Sequence, residues 1–478
     1  MVSSGFAEEF VGIDLNDKRL NERLLGIADA LGKACHASIP AAADGRAEME
    51  AIYRFFDNSK VNPEILTSAH RRATLERIAQ CDVALLVQDT TELDVTRPSQ
   101  QVKGAGPLTH DSRRGSFYHP LMAFTAEGLA LGTVWNKHWV REEIHTDRTA
   151  AEKRADNRRK PIEEKESIRW LEGLRAGLDV ARECPQTQCI VIGDRESDIY
   201  EFLAEPRGTD DGAQVGILIR ATQDRNIEDP ENRLLSRVRS TPCRFILALD
   251  ISKRTPKIEV DTSRKSNRSR DARLANVAVR AAAVTIKSPR NGPKRPSLNY
   301  HIVIAEEISP PEGEEPIQWW LITSLPIDTD EDVTRILGYY CKRWQIEIYF
   351  RTLKSGCRIQ KRYFETMPRL ENCLAIYIVI AWKILYLCRL GHECPDLPCD
   401  IIFSGSEWKA VYTIVKRKPA PKKAPTINEM IKLIASLGGY VIRNNTSPGT
   451  QTLWLGLQRV YDFANAWDTF GPECQSPP

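Results

Sequence analysis

Apolar positions near the start of the chain recur with helical spacing. In residues 13–34, Leu20, Leu24, Ile27, Ala28 and Leu31 share one face, and Lys18, Arg19 and Arg23 lie off it. A second helical stretch holds Tyr53, Arg54, Phe55 and Phe56, and Asn62-Pro63 beyond it reads as a helix start or a turn. The period then changes. Residues 81–95 (CDVALLVQDTTELDV) form an apolar run into Asp89, Thr90 and Thr91, and residues 118–140 read as a hairpin turning near Glu127-Gly128. A charged helix over about 162–184 precedes residues 188–203 (QCIVIGDRESDIYEFL), which read as a buried strand, a turn at Gly193 and Asp194, then a helix. Residues 214–327 are mainly strands, and helices return from Thr334. An exposed basic linker at 416–425 separates these from two last helices, over residues 427–441 and 452–467. The order predicts a small helical unit, an α/β core, a β-rich stretch and a helical end.

Composition supports a folded, multidomain chain. Apolar residues make up 42% of 478, which excludes global disorder, and a prior of roughly 150 residues per domain suggests about three domains. Lys plus Arg number 67 against 64 Asp plus Glu, a net of +3, which argues against a wholly basic chromatin-type protein. That balance is an average. Residues 253–295 hold thirteen Lys or Arg and three Asp or Glu, a local net of +10, and the rest of the chain sums to −7. The basic stretch reads either as a solvated loop or as a path for a DNA backbone, with the 416–425 linker as a second contact.

The twelve cysteines include no CxxC pair, as expected for reduced thiols, and Cys388, Cys394 and Cys399 near His392 match no common zinc spacing. The first residues lack the charged and apolar segments of a leader peptide. The apolar run at 374–388 is shorter than a span of about 20 residues and carries Lys383, so a buried helix is expected and no membrane partner. The expected location is the cytoplasm.

Asp89 and Asp194 each close an apolar strand. Either carboxylate alone reads as a turn or helix cap, and for Asp194 an N-cap of the following helix is the plain alternative. Two such strand ends in one core suit a shared site for Mg²⁺ or Mn²⁺, which prefer hard oxygen ligands. Tyr340, Arg343, Glu347, Arg351 and Lys354 are spaced 3, 4, 4 and 3, so a single helix over 339–357 would carry them on one face. They read as a solvated ladder of Arg343–Glu347 and Glu347–Arg351 ion pairs, or as cations for phosphates. The flanking Tyr339, Trp344, Tyr349 and Phe350 favour the second reading.

These residues carry a family resemblance. QDTTEL around Asp89, GDRESDIY around Asp194 and the pattern Y-x2-R-x3-E-x6-K at Tyr340, Arg343, Glu347 and Lys354 resemble the DDE transposases of the insertion-sequence IS-four family, and within it the Tn-five-like transposases. The resemblance covers nearly the whole chain. WWLITSLPI places Trp319 at the position of a Trp that stacks on a flipped base. Tyr53, Arg54 and Phe55 match a YRF of the end-binding domain, which Lys18, Arg19 and Arg23 match only approximately. Leu437, Gly438, Gly439, Trp454 and Gly456 resemble the dimerisation region.

The resemblance implies an α/β, RNase H-like catalytic core interrupted by an all-β insertion. A helical DNA-end-binding domain would span 1–64, the catalytic domain 65–367 with its insertion at 213–327, and a helical dimerisation domain 368–478. The 153 residues from Asp194 to Glu347 leave room for the insertion. The resemblance also implies that Asp89, Asp194 and Glu347 hold two Mg²⁺ ions, with Mn²⁺ substituting. Tyr340, Arg343 and Lys354 would grip phosphates, with Arg351 assisting. The expected activity is cut-and-paste transposition through a 3′ nick, a DNA hairpin, hairpin opening and strand transfer. Its partners would be double-stranded DNA, as transposon ends and target, and a second copy of the chain, in association with the bacterial nucleoid. A catalytically silent DNA-binding regulator and an RNase H-like nuclease that never joins DNA are the competing readings.

Overall fold

The computed structural model describes residues 5–471 apart from 111, 143–148, 150–151, 153–155, 157–158, 252, 254–270, 290–294, 315 and 443–445. The basic stretch at 253–295 therefore lies in large part outside the described residues. The chain divides into two compact units, one of residues 1–158, 179–188 and 342–478, the other of 159–178 and 189–341.

The first unit opens with helices α1 (Lys18–Lys33), α2 (Arg46–Phe56) and α3 (Pro63–Ile78). Helix α1 begins later than residue 13 because Asp17 caps it, its side chain accepting from Arg19 N–H at 3.0 Å. Leu24, Ile27, Ala28 and Leu31 form its buried face, as their spacing predicts. Asn62 caps α3 by accepting from Ile65 N–H at 2.9 Å, with Pro63 in the first turn. Strands β1 (Val83–Gln88), β2 (Thr91–Asp94), β3 (Gly106–Pro107), β4 (Arg114–Thr125) and β5 (Ala130–Trp139) follow. Strand β4 pairs antiparallel with β1, β2, β3 and β5, and Leu86 sits opposite Ala123. The β4–β5 hairpin turns at the expected place, where Gly128 takes a φ of 102°. The run at 81–95 is two strands, broken at Asp89 and Thr90.

Between α3 and β5 lies a buried polar knot. His70 Nε2 accepts from Thr133 N–H at 3.0 Å, so the ring proton sits on Nδ1, which donates to Glu9 Oε2 at 2.6 Å. Glu9 also pairs with Arg77. Burial pushes the His70 pKa below its ordinary value of 6.5, although Glu9 pulls it up. The folded chain thus binds this proton less readily than the unfolded chain. The stability it contributes is present above pH 6.5 and lost as pH falls below that value. Unfolding midpoints measured from pH 7.5 downward should decline, and His70→Gln should flatten that slope. A wild-type midpoint that does not move would refute the assignment.

The second unit contains most of α4 (Ile168–Glu183), then β6 (Gln188–Gly193), α5 (Tyr200–Ala204), β7 (Val215–Arg220), α6 (Leu234–Arg239), β8 (Phe245–Ile251), β9 (Arg273–Ile286), β10 (Leu298–Glu307), β11 (Gln318–Thr323) and α7 (Asp330–Lys342). Its sheet is mixed. Strand β6 pairs parallel with β7, and the order continues antiparallel through β11, β10 and β9 to β8. The span expected to be all-β, 213–327, holds five strands and also the six-residue helix α6 among its described residues.

The chain then returns to the first unit with α8 (Trp344–Arg351), α9 (Met367–Glu393), α10 (Gly405–Lys416), α11 (Ile427–Leu437) and α12 (Thr450–Phe470). Helix α9 is long and apolar enough to cross a membrane, yet 78% of its most apolar window is buried in the protein, as expected of a core helix. Trp382 Nε1 donates from it to Ala130 O at 2.9 Å. Helices α11 and α12 approach through glycines. A Cβ on Gly438 would lie 2.0 Å from Thr452 O, and one on Gly456 would lie 1.8 Å from Ile434 O. Among the described residues no three His, Cys, Asp or Glu side chains form a metal-holding group, and Cys388, Cys394, Cys399 and His392 are no exception.

Candidate active site

Strand β1 is buried to its last residue and delivers Asp89 at its end. The residues on either side of Asp89 are tied to one buried ring. His119 Nε2 lies 3.1 Å from Gln88 Oε1, and His119 Nδ1 lies 2.8 Å from Thr90 Oγ1. With the proton on Nε2, the ring donates to Gln88 and accepts from the Thr90 hydroxyl. The backbone around Asp89 is thereby fixed from β4, a role for His119 that a lone His in the sequence does not announce.

Glu347 sits in the first turn of α8. Arg343 joins the two carboxylates: its Nη1 donates to Asp89 Oδ2 at 2.9 Å and its Nη2 to Glu347 Oε1 at 2.6 Å. The Arg343–Glu347 pair expected of a solvated helix face is therefore present, but the guanidinium also reaches Asp89, 254 residues away in sequence. Two hard-oxygen donors converge on one cation, a donor set that fits Mg²⁺ or Mn²⁺.

The single helix expected over 339–357 is broken. Helix α7 ends at Lys342, Arg343 stands between it and α8, and residues Thr352–Gly356 form a π-helical turn. Lys354 lies within this π-helical turn. Lys354 is half-buried, and the nearby carboxylates Glu92 and Asp94 hold Arg113 at 2.9 and 3.4 Å. Burial lowers the Lys354 pKa, against an upward pull from Glu92. Arg351 is exposed. Arg54, Lys18, Arg19 and Arg23 are exposed on α2 and α1.

Two expected residues meet in the second unit. Trp319 on β11 and Tyr340 on α7 pack edge to face with ring centroids 6.3 Å apart. Tyr340 is buried. Beside Trp319 lies an apolar cavity of about 210 Å³ lined by Leu247, Leu249, Ala305, Leu337 and Gly338. Asp194 follows β6 in the same unit and does cap a turn, Oδ1 accepting from Glu196 N–H at 2.8 Å. Gly193 is required there, because a Cβ would meet Ser197 Oγ at 2.4 Å. The cap occupies one carboxylate oxygen, so capping and ligand roles are compatible. Asp198, four residues on, is fully buried and was not singled out by the sequence. It accepts from Thr222 N–H and Gln223 N–H at 2.7 and 3.0 Å and from Arg225 Nη2 at 2.6 Å.

Comparison with known families decides the class. Residues 3–61 match the family described as Transposase DNA-binding, residues 173–382 match Transposase DDE domain, and residues 379–468 match Transposase Tn5 dimerisation domain. The chain belongs to the Tn5-like DDE transposases. The transposase thus carries DNA-binding, DDE and dimerisation segments in that order, and Asp194 and Glu347 fall within the DDE match. A piggyBac transposase synaptic complex with hairpin DNA is similar at 11% identity, over 96% of this chain and 73% of that one, with a TM-score of 0.37.

Proposed function

We propose that this transposase performs cut-and-paste transposition, cutting DNA at transposon ends and joining the ends to a target by phosphoryl transfer at Asp89, Asp194 and Glu347. The observation that carries the reading is the Arg343 guanidinium clasped between Asp89 and Glu347. Clustered carboxylates repel, and a cation between them keeps them assembled. Asp194 joins the set on the strength of the GDRESDIY motif. Two divalent ions, when bound, would activate a water or 3′-hydroxyl and stabilise the leaving oxygen. The protein's own part is to hold the carboxylates at rigid strand and helix ends, with Gln88, Thr90 and His119 steadying Asp89. Arg343, Tyr340 and Lys354 are assigned to the scissile strand's phosphates. The reaction is assigned the course of nick, hairpin, hairpin opening and strand transfer, in a homodimer acting on bacterial DNA in the cytoplasm. The domain limits at 64 and 367 belong to the same reading.

Strand transfer with precut ends tests the class. Joined product is expected. Cutting without joining would indicate a nuclease, and neither would indicate a regulator. Trp319, beside its cavity, is assigned to stack on a base displaced during hairpin formation. Trp319→Ala is expected to slow hairpin formation about tenfold more than the first nick. Equal slowing of both steps would make Trp319 a core residue only.

A further inference from the structure

Residues 351–363 (RTLKSGCRIQKRY) carry five Lys or Arg and no Asp or Glu. Two of the five are set aside. Lys354 is half-buried and already assigned to the scissile strand. Arg362 is buried, donates to the carbonyls of Ala37, Cys35 and Cys357, and lies 4.5 Å over the Tyr377 ring. Arg358 and Lys361 are exposed, and among the described residues no carboxylate pairs with either. Arg358 adopts a left-handed backbone, φ 52°, which turns the chain away from the π-helical turn.

The segment ends on an unusual aromatic. Tyr363 is 62% exposed. The Arg97 guanidinium covers one ring face at 4.2 Å and is anchored by donating from Nη2 to Arg362 O at 2.7 Å. The backbone just beyond is clamped, with Lys103 N–H donating to Glu365 O at 2.8 Å and Met367 N–H to Lys103 O at 2.9 Å. A large ring is thus covered on one side by a guanidinium and otherwise largely open to solvent, beside cations with no carboxylate partner among the described residues. A ring that only stabilised the fold would gain by burial. Exposed aromatic faces flanked by cations are the elements of contact with unpaired nucleic-acid strands.

We propose that Arg358, Lys361 and the Tyr363–Arg97 pair form a DNA-contact strip beyond the Glu347 helix, the cations taking phosphates and the open face of Tyr363 stacking on an unpaired base. The inference rests on the reading that this chain acts on DNA. It gives a cutting enzyme a hold on strand that has lost its partner.

The test uses the full chain and two labelled mixed-sequence duplexes, one blunt and one with an unpaired 3′ overhang, titrated at several salt concentrations. Tyr363→Ala is expected to bind the overhang DNA about tenfold more weakly and the blunt DNA nearly as before. Tyr363→Phe retains the ring and is expected to bind both like wild type. Arg358→Gln and Lys361→Gln should each reduce the slope of log affinity against log salt by about 1. These side chains are exposed, so unfolding midpoints should not move. Overhang binding by Tyr363→Ala at wild-type strength, or unchanged salt slopes, would overturn the strip. If the wild-type chain itself binds neither DNA, the assigned function fails instead, so the two failures are distinct.

Discussion

Glu347→Gln is expected to lower DNA cleavage by at least about a thousandfold, equivalent to ~4 kcal/mol of barrier, while DNA binding stays near wild type. The substitution keeps the side chain's size and an oxygen that accepts from Arg343 Nη2, so α8 and the Arg343–Asp89 pair at 2.9 Å should persist. Only the negative charge is lost. A neutral amide is a poor ligand for a hard divalent cation, and the loss falls on the chemical step rather than on assembly. The ion pair itself is partly exposed, so little stability is at stake. Asp89→Asn should behave in the same way. Nicking of end DNA, followed with Mg²⁺ by gel at fixed enzyme, decides the matter. A variant that nicks at the wild-type rate removes that residue from the site.

Arg225→Ala is expected to cost about 3–5 kcal/mol of stability, the largest loss foreseen for a single residue. Arg225 and Asp198 are both buried in the second unit and joined at 2.6 Å, with Arg225 Nε adding a bond at 3.2 Å. Without the guanidinium, Asp198 keeps its donors from Thr222 and Gln223 but remains a buried anion with no counter-charge. The Arg225→Ala, Asp198→Asn double variant should recover part of the loss, because the stranded charge is then gone. Urea unfolding of the three variants measures this. A loss under 1 kcal/mol for Arg225→Ala would show that water compensates the carboxylate. Asp198 lies in the same short turn as Asp194, so cleavage should fall with stability in these variants.

The buried strands and the hairpin were legible because period-two and continuous apolar runs are dictated by two-sided burial, as in β1 and β4. The amphipathic start of α1 was legible for the same reason. The break at Arg343 was not. Charges at spacings of 3 and 4 look alike whether a helix is continuous or resumes after one residue, and the π-helical turn that holds Lys354 leaves no mark on residue types. Helix α10 was not singled out, although it carries a capping box in which the Ser404 hydroxyl accepts from Glu407 N–H. His119 and Arg225 were invisible because each acts through a partner far away in sequence. Motif spacing alone singles out Asp89, Asp194 and Glu347 as a set. That Arg343 joins Asp89 to Glu347 required coordinates.

Helix α9 raises a question about the order of synthesis. Its length and composition would suit a lipid bilayer, and before it is covered it presents a long apolar surface prone to aggregation. Several of its companions, including α3 and β5, precede it in the chain, and Lys383 near its middle donates to Gly5 O at 2.8 Å. A ribosome moving from the N-terminus therefore produces the cover before the segment that needs covering. Loss of the first residues would remove part of that cover, leaving the newborn chain exposed to misfolding at the moment α9 emerges.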